Sequence, residues 1–275
     1  MYTSVRDCML SATGISDPYE ALDHLGLSSL ELAVSKDVQV ESLTTTDDQA
    51  FDLGSPAGRV ALSSQLEEKG VSVCAFLMGN DFSSEDFDEE VEALIATSQA
   101  AEQLDVPVVR VDLLPHSGEM PEDQFVDRCV DALSRGLGAC SEVEFGIENH
   151  GGTSNRPEFM DRVLHEVGDR RLGVTLDTGN FYWYGHPLEM VYHLMGKYAE
   201  RVKHTHCKNI SYPEELREQQ REVGYRYGDY VCPIYEGDVD HAEAGEILED
   251  AAYERILFIE DESLGQFSED EKAEV

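Results

Sequence analysis

Eight short apolar segments recur along the chain, and stretches with helical spacing separate them. The strand candidates are Thr3–Leu10, Leu27–Val34, Val71–Met78, Pro107–Leu114, Glu144–Asn149, Leu172–Asp177, Val202–Cys207 and Ile256–Glu260. Between them, apolar residues such as Val91, Leu94 and Ile95 recur at the spacing of an amphipathic helix. Eight strands that alternate with helices over roughly 250 residues predict an α/β fold, a single (β/α)8 TIM barrel.

An open, doubly wound sheet is the alternative to the barrel, and it requires a glycine-rich turn after an early strand. The near-match Gly136-Leu-Gly138 follows a predicted helix and precedes a predicted strand, which is the reverse order. No linker interrupts the alternation, so we predict one barrel over residues 1–262. Residues 263–275 are rich in acidic side chains and are predicted to form a mobile tail.

The chain is strongly acidic, with 57 Asp and Glu residues against 20 Lys and Arg, and a formal net charge of −37. Such a surface repels nucleic acid and anionic membranes, so we expect neither as a partner. The acidic residues are spread over the whole sequence, which favours a halophilic protein whose charge repulsion is screened by salt. An acidic protein of ordinary salt conditions is the alternative.

The cysteines and the first residues indicate the cellular compartment. The six cysteines form no C-x-x-C pair, which is typical of a reduced protein with buried thiols. The opening M-Y-T-S-V-R-D-C-M-L lacks a signal-peptide pattern, and no apolar run approaches the ~18 residues of a membrane span. We therefore expect a cytoplasmic protein.

Carboxylates and histidines stand at the ends of four consecutive predicted strands, from the fifth to the eighth. These strands end at Glu148, at Asp177, at His204-Thr-His206 and at Glu260. Side chains alternate between the two faces of a strand, so Phe145 and Ile147 face the helices while Glu148 faces the barrel interior. The same alternation turns Asp177 and Glu260 inward. Functional groups of a barrel lie at the carboxyl ends of its strands, so we expect these side chains to converge.

Three carboxylates and an imidazole in one place are suitable ligands for a divalent metal ion. Without a cation the carboxylates would repel one another, and some would take up protons. We predict one ion of Mn²⁺, Mg²⁺, Co²⁺ or Zn²⁺, and the ligand types do not distinguish among them. The alternative is a set of unrelated polar residues at strand ends.

Five motifs follow one another in the second half of the chain: I-E-N-H-G, L-D-T-G-N, K-H-T-H-C-K-N, E-G-D-V-D and F-I-E. Together they resemble the sugar phosphate isomerase/epimerase family of xylose isomerase-like barrels, most clearly from Phe145 to Glu262. The resemblance implies metal ligation by four residues, which are Glu148, Asp177, His206 and Glu260. It also implies that Glu148 and Glu260 are the catalytic acid–base pair, on opposite sides of a bound sugar.

Strand geometry agrees with the choice of His206 over His204. The two side chains lie about 6.5 Å apart along a strand that rises about 3.3 Å per residue. One ion at the barrel mouth is reached by the upper histidine, so we expect His206 as the ligand and His204 as a deeper supporting residue.

The resemblance implies a small-molecule substrate, a sugar or sugar phosphate, and proton transfer through an enediolate that the ion stabilises. Isomerase or epimerase activity is the expected function, and a dehydratase of a cyclitol or keto-acid is the alternative. A non-catalytic sugar-binding barrel and an endonuclease are less favoured, because all four ligands are present and the net charge opposes DNA binding. Barrels of this kind often associate, so a homo-oligomer is also considered.

Residues around the expected mouth are predicted to contact the substrate: Glu31, His150, Asn180, Lys208 and Arg226. Epimerases of free ketoses carry a histidine at the position of Asn180 and an arginine at that of Tyr212, so the resemblance does not fix the substrate. Segment 210–237 is a long connection rich in tyrosine and arginine, and such loops have a function or are mobile. It is predicted as a lid whose arginines meet a phosphate or carboxylate. A surface excursion with solvated charges is the alternative.

Overall fold

Eight parallel strands form the centre of the protein. The computed structural model describes residues 1–44, 50–117 and 120–272. The strands are β1 (Tyr2–Arg6), β2 (Ser29–Val34), β3 (Ser72–Met78), β4 (Val108–Val111), β5 (Glu144–Glu148), β6 (Leu172–Asp177), β7 (Val202–His206) and β8 (Ile256–Ile259). Two short antiparallel ribbons lie outside this sheet, Gln39–Val40 with Phe51–Asp52 and Asn209–Ile210 with Val231–Cys232.

The strands follow one another around the sheet in the order β8-β1-β2-β3-β4-β5-β6-β7. The last strand pairs in parallel with the first, from Tyr2 opposite Ile256 to Val5 opposite Ile259. Pairing between the first and the last strand is characteristic of a barrel. It excludes the open doubly wound sheet and confirms the predicted (β/α)8 architecture.

The seam between β7 and β8 is closed partly by a side chain. Thr205 Oγ1 donates to the Ile256 carbonyl at 2.7 Å and accepts from the Phe258 N–H at 3.2 Å. Above it, the Cys207 N–H donates to the Phe258 carbonyl at 2.7 Å, and the Glu260 N–H donates to the Cys207 carbonyl at 3.1 Å. These bonds fix the end of β8 beside the end of β7.

Helices cover the outside of the barrel. They are α1 (Pro18–His24), α2 (Pro56–Lys69), α3 (Phe87–Gln103), α4 (Glu122–Gly138), α5 (Pro157–Val167), α6 (Leu188–Tyr198) and α7 (His241–Asp250). Single helical turns occur at Asn180–Trp183, Glu214–Arg217, Tyr227–Tyr230 and Glu269–Lys272, and 3-10 segments at Asp7–Thr13, Ala199–Arg201 and Glu262–Gln266. Within the described ranges, no helix combines the length and the apolar character needed to cross a membrane.

The alternation of side chains along the strands sorts them into two apolar clusters. Outward-facing residues such as Phe145, Ile147, Val174 and Leu176 are buried in the main core, under the helices. The second cluster consists of Cys74, Ala75, Val108, Ile256 and Phe258. The ring of Phe258 lies 5.1 Å from that of His204 and 4.8 Å from that of His206, so this cluster supports the histidines of β7.

The first strand ends earlier than the sequence predicts. The predicted strand Thr3–Leu10 is wrong beyond Arg6, because Asp7–Thr13 forms a 3-10 segment. The carboxylate of Asp7 accepts from the Cys8 N–H at 2.7 Å and from the Ala33 N–H at 2.8 Å, which turns the chain out of the sheet. The apolar run continues through Leu10, but its residues pack on the outside of the barrel.

Only short helical segments follow β8 in the described part of the chain. Ser263 is fully buried, and both its N–H and its hydroxyl donate to Asp261 Oδ1, at 2.9 and 2.5 Å. The beginning of the predicted mobile tail is therefore packed against the barrel, and residues 273–275 lie outside the described ranges. A largely apolar groove of about 510 Å³, lined by Val5, Ile259 and Leu264 among others, opens beside these segments.

Candidate metal centre at the barrel mouth

Four buried side chains meet where β5, β6, β7 and β8 end. One ligand atom from each of Glu148, Asp177, His206 and Glu260 lies within 4.8 Å of the others. The strand register brings them level, since Asp177 and His206 are opposite residues of β6 and β7. Their exposed fractions lie between 0 and 5%. The fold thus brings together the four residues that the sequence predicts as metal ligands.

The imidazole of His206 is turned so that its two nitrogens face different groups. Nε2 lies 3.2 Å from Glu31 Oε1, whereas Nδ1 lies 3.2 Å from Glu260 Oε2 and 3.5 Å from Glu148 Oε2. Nδ1 is buried without a hydrogen-bond partner in the described part of the chain, and so is Asp177 Oδ2. Buried polar atoms are rarely left unpaired. Lys208 Nζ lies 3.2 Å from Asp177 Oδ2 without forming a hydrogen bond, and an imidazole nitrogen beside such a carboxylate oxygen fits a divalent cation.

The electrostatics of this cluster point to the same conclusion. Burial raises the pKa of Asp177 to about 7, and the charges of Glu148 and Glu260 add to the rise. Burial opposes the charged form of His206, but the carboxylates around it, first Glu31 and then Glu260, raise its pKa well above the usual range. Protons on Asp177 and His206 therefore relieve the repulsion in the metal-free protein. A divalent ion would relieve it without them.

The charges around the centre are unequal in number. The carboxylates are those of Glu31, Asp112, Glu148, Asp177 and Glu260, and the cationic side chains that contact them are Arg6, Arg110 and Lys208. Glu262 also pairs with Lys208, so six carboxylates surround three cationic side chains, and the centre carries an excess of negative charge that a divalent cation would reduce.

Each of the two glutamates is held by an arginine from another strand. Arg110 Nε donates to Glu148 Oε2 at 2.5 Å, and Asn180 Nδ2 donates to Glu148 Oε1 at 3.0 Å. Arg6 Nη1 donates to Glu260 Oε1 at 2.7 Å. Burial would raise the pKa of Glu148, but the guanidinium of Arg110 holds it well below the usual range. Both oxygens of Glu148 are thus fixed, whereas Glu260 is fixed through one.

A cationic lysine lies at the rim of the cluster. Lys208 Nζ lies 3.2 Å from Asp177 Oδ2 and donates to Glu262 Oε1 at 2.9 Å. The Tyr227 hydroxyl donates to the other oxygen of Glu262. Burial would lower the pKa of Lys208, but the nearby carboxylates, first Asp177 and then Glu260, raise it well above the usual range. Lys208 therefore carries its charge next to the candidate ligands.

His150 and Asp112 form a pair beside Glu148. The Nδ1 atom of His150 lies 3.1 Å from both carboxylate oxygens of Asp112, and Arg110 Nη1 lies 3.2 Å from Asp112 Oδ2. The His150 side chain is 38% exposed, in contrast to the buried ligand cluster. It is oriented by Asp112 and is partly exposed.

The other residues predicted to contact substrate differ in their positions. Asn180 and Lys208 touch the cluster directly, as described above. Glu31 lies beneath it, with no exposed surface and with both histidines of β7 within reach of its carboxylate. Arg226 is exposed and pairs with Asp229 at 2.7 Å. Substrate contact by these residues stays a prediction.

The arginines of segment 210–237 have partners within the protein. Arg221 lies between the rings of Tyr182 and Tyr212, at 4.4 Å from each, and donates to the carbonyls of Tyr182 at 3.1 Å and His186 at 2.7 Å. Arg217 pairs with Asp238 at 3.0 Å. These contacts fasten the segment to the barrel. Arg217 and Arg221, two arginines of the predicted lid, therefore bind other parts of the protein itself.

Two side chains of the centre are absent from the sequence-based prediction. Arg6 is the last residue of β1 and lies opposite Glu31 of β2. In the sequence, the available sign of its role was a single charged residue in an apolar run. Asn149 accepts from the Asp177 N–H at 2.8 Å and donates to the Asp177 carbonyl at 3.0 Å, which ties the ends of β5 and β6 together. Its place inside the I-E-N-H-G motif was the available signal.

Comparisons with known proteins agree with the fold. An inosose dehydratase of Clostridium perfringens is 24% identical over 221 residues, which make up 73% of this chain and 73% of that protein. The crystal structure of the IOLI protein with a bound zinc atom has a TM-score of 0.72 at 15% identity, covering 100% of this chain and 94% of that one. An L-ribulose 3-epimerase has a TM-score of 0.64 at 17% identity, covering 100% and 87% of the two chains.

The family described as xylose isomerase-like TIM barrel matches residues 19–274, nearly the whole length of the chain. The inosose dehydratase and the epimerase are enzymes, so proteins of this fold carry out catalysis. The match, the closed eight-stranded barrel and the order of the strand-end motifs agree with one another. The chain belongs to the xylose isomerase-like TIM barrel family.

Proposed function

We propose that the protein is a divalent-metal-dependent isomerase or epimerase of a sugar or sugar phosphate. The observation that carries this proposal is the convergence of ligand atoms from Glu148, Asp177, His206 and Glu260 within 4.8 Å. Two of these residues, Asp177 and His206, present buried atoms without hydrogen-bond partners in the described part of the chain. Mixed oxygen and nitrogen ligation suits Mn²⁺, Mg²⁺, Co²⁺ or Zn²⁺.

The two glutamates are the proposed proton carriers. When bound, the ion would polarise the substrate carbonyl and stabilise the enediolate. Glu148 and Glu260 approach from different strands, so one can take the proton next to the carbonyl and the other can deliver one on the opposite side. Arg110 and Asn180 fix Glu148, and Arg6 fixes Glu260, which keeps each carboxylate in one orientation. Such fixed orientations favour proton transfer at a defined carbon.

The rim supplies groups for substrate recognition. Lys208 is cationic, buried and within 3.2 Å of Asp177, so a hydroxyl or a phosphate oxygen entering the centre would meet its ammonium group. His150, held by Asp112, is partly exposed beside Glu148. The near-complete burial of the four ligands also keeps bulk water away from the reacting atoms.

Solvent deuterium exchange tests the proposed chemistry. The protein is stripped with a chelator, reloaded with Mn²⁺ and incubated in D₂O with a panel of ketoses and ketose phosphates. Deuterium should enter the carbon next to the carbonyl only when metal is present. Glu148→Gln and Glu260→Gln should lower the exchange rate by about 100-fold or more, whereas Asp131→Asn, on the exposed side of α4, should not. Absence of metal-dependent exchange across the panel would contradict the proposal.

Metal titration tests the centre independently of any substrate. Calorimetry with Mn²⁺ should give one site per chain, and Asp177→Asn should weaken binding by more than about 100-fold, beyond the usual effect of losing an outer partner of a ligand. Asp131→Asn is again the matched control, because its carboxylate is exposed and pairs with Arg135. Unchanged affinity in Asp177→Asn would remove the basis of the assignment.

A dehydratase of a cyclitol or keto-acid is the second candidate. The relative that matches 73% of the chain is an inosose dehydratase, and this observation favours it. Loss of a hydroxyl also requires a proton donor, for which Lys208 and His150 are placed beside the two glutamates. Incubation with an inosose separates the candidates: a dehydrated product detected by NMR supports the dehydratase, and exchange with retention of the hydroxyl supports the epimerase.

A further inference from the structure

Glu31 lies directly beneath the candidate metal centre. Its Oε1 atom is 3.1 Å from His204 Nε2 and 3.2 Å from His206 Nε2, while Oε2 has no partner among the described residues. The side chain has no exposed surface, and neither does that of His206. A buried carboxylate that directs one oxygen at two imidazoles is placed to support the histidines.

We propose that Glu31 is a positioning residue for His206, whose ring it holds with Nε2–H toward Oε1 and Nδ1 toward the ion. His204 Nε2 lies 3.1 Å from the same carboxylate oxygen. This inference rests on the proposed function, since it presumes a divalent ion at the centre. It further specifies that His206 binds the ion through Nδ1.

The chemistry of imidazole connects the two sides of the ring. A neutral imidazole has one N–H and one nitrogen lone pair, and the hydrogen bond made by one nitrogen decides which of them the other presents. Donation of Nε2–H to Glu31 leaves the lone pair on Nδ1. That atom faces Glu260 Oε2 at 3.2 Å and Glu148 Oε2 at 3.5 Å. Two negatively charged oxygens beside a lone pair repel it, and a bound divalent cation would relieve that repulsion.

The packing around the two rings limits their rotation. The rings of His204 and His206 are 5.2 Å apart and nearly perpendicular, at 82°. Phe258 lies against both, at 5.1 and 4.8 Å. Rotation of His206 by half a turn would therefore have to displace these neighbours. Glu31 selects the orientation and the rings preserve it.

A second ion between Glu31, His204 and His206 is the competing interpretation, because ligand atoms of these three residues also lie within 4.8 Å. It would require His206 to give a nitrogen to each of two ions. The 3.2 Å contact between Oε1 and His206 Nε2 is a hydrogen bond, whereas His204 Nε2, at 3.1 Å from the same oxygen, forms none among the described residues. We therefore favour hydrogen bonding, and the number of ions per chain distinguishes the two.

Long-range ¹H–¹⁵N correlation spectra of histidine-labelled protein loaded with Zn²⁺ test the proposal directly. His206→Asn identifies the signals of His206. The wild-type spectrum should show His206 protonated at Nε2 and ligated through Nδ1. Ligation through Nε2 would overturn the proposal without any further variant, so the test does not depend on the folding of a mutant.

Two variants of Glu31 add a measurement of affinity. Glu31→Leu removes the acceptor and should weaken Zn²⁺ binding by about 10- to 100-fold, with loss of the Nε2–H tautomer. Glu31→Gln retains a carbonyl oxygen for the ring and should largely restore both the tautomer and the affinity. Glu90→Leu is the matched control, because Glu90 is a buried carboxylate on α3 that binds the Asp81 N–H and lies outside the cluster.

The outcomes separate this inference from the proposed function. Native affinity and an unchanged tautomer in Glu31→Leu would overturn the positioning role while leaving the metal centre intact. Wild-type protein that binds no ion would overturn the proposed function. Two ions per chain, with one lost in Glu31→Leu, would replace the positioning role with a second metal site.

Discussion

At the scale of residues, the candidate centre depends on charged pairs between strands that are distant in sequence. Arg6 on β1 holds Glu260 after β8, and Arg110 on β4 holds Glu148 on β5. Each arginine satisfies a carboxylate oxygen that would otherwise be buried without a partner. Arg6 leaves the second oxygen of Glu260 for a cation, whereas both oxygens of Glu148 already accept hydrogen bonds, from Arg110 and Asn180.

The affinity for metal should depend on pH through Asp177 and His206. Their raised pKa values, about 7 for Asp177, mean that both bind protons near neutrality in the metal-free protein. An incoming ion must displace these protons, so affinity for Mg²⁺ or Mn²⁺ should rise as the pH rises from about 6 to 8. Calorimetry in two buffers of different ionisation enthalpy measures the protons released.

The same titration with Asp177→Asn is the control for this effect. The variant has one protonatable group fewer, so the number of protons released per ion should fall. An affinity that does not change over this pH range, or that falls as the pH rises, would contradict the assigned pKa shifts.

Strand parity explains which residues of the centre were predictable. Glu148, Asp177 and Glu260 each follow an alternating apolar strand, so their inward direction could be derived from local sequence. The partnership of Arg6 with Glu260 could not, because the first strand was predicted to run on to Leu10, and Arg6 was therefore not recognised as a strand end. The orientation of the His206 ring also has no local signal, since Glu31 lies on a different strand.

At the scale of elements, segment 210–237 is fastened at its centre by Arg221. The guanidinium lies between two tyrosine rings and donates to backbone carbonyls of the Asn180–Trp183 turn and of the following loop. The Arg221 N–H also donates to the Gly185 carbonyl at 2.8 Å. Gly185 has a φ of 106°, and an added Cβ would lie 2.3 Å from the Arg221 carbonyl. A residue with a side chain would be strained at this φ and would clash with that carbonyl, so glycine is needed at this position.

Replacing Arg221 with methionine should loosen this segment. The change removes two cation–π contacts and leaves buried carbonyls without donors, which should lower the free energy of unfolding by roughly 2–4 kcal/mol. Hydrogen exchange in segment 210–237 should accelerate more than elsewhere. Urea unfolding together with exchange mass spectrometry provides both measurements.

Arg226→Met is the matched control for that substitution. Arg226 is exposed and pairs with Asp229 at the surface, so its loss should change stability and exchange little. Equal effects of the two substitutions would show that Arg221 does not fasten the segment.

The boundaries of elements were less predictable than their order. All eight strands lie where apolar runs occur, but β1 ends at Arg6 because Asp7 binds the N–H groups of Cys8 and Ala33. The apolar residues that follow resemble a continued strand in sequence. Only the contact between Asp7 and β2, remote in the chain, changes their conformation.

At the scale of the whole molecule, the excess of acidic groups sets the response to salt. A net charge of −37 on 275 residues produces self-repulsion that salt screens, with a Debye length of about 10 Å at 0.1 M. The melting temperature should therefore rise between about 0.1 and 2 M KCl. Differential scanning calorimetry measures it.

Sodium chloride at equal ionic strength is the control for this prediction. Screening depends on ionic strength, so the two salts should give similar increases at low concentration. A melting temperature that is constant or falls over this range would contradict the halophilic interpretation of the composition.

The pairing of β8 with β1 has a consequence for how the protein is made. β1 has one barrel neighbour early in the chain, β2, and the other only after Ile256–Ile259 has left the ribosome. Glu260, one of the four candidate ligands, follows immediately. Contacts between residues so far apart in sequence form slowly. A nascent chain that stops before β8 therefore contains most of the barrel but no complete metal centre, so the capture of the ion would report the pairing of β8 with β1.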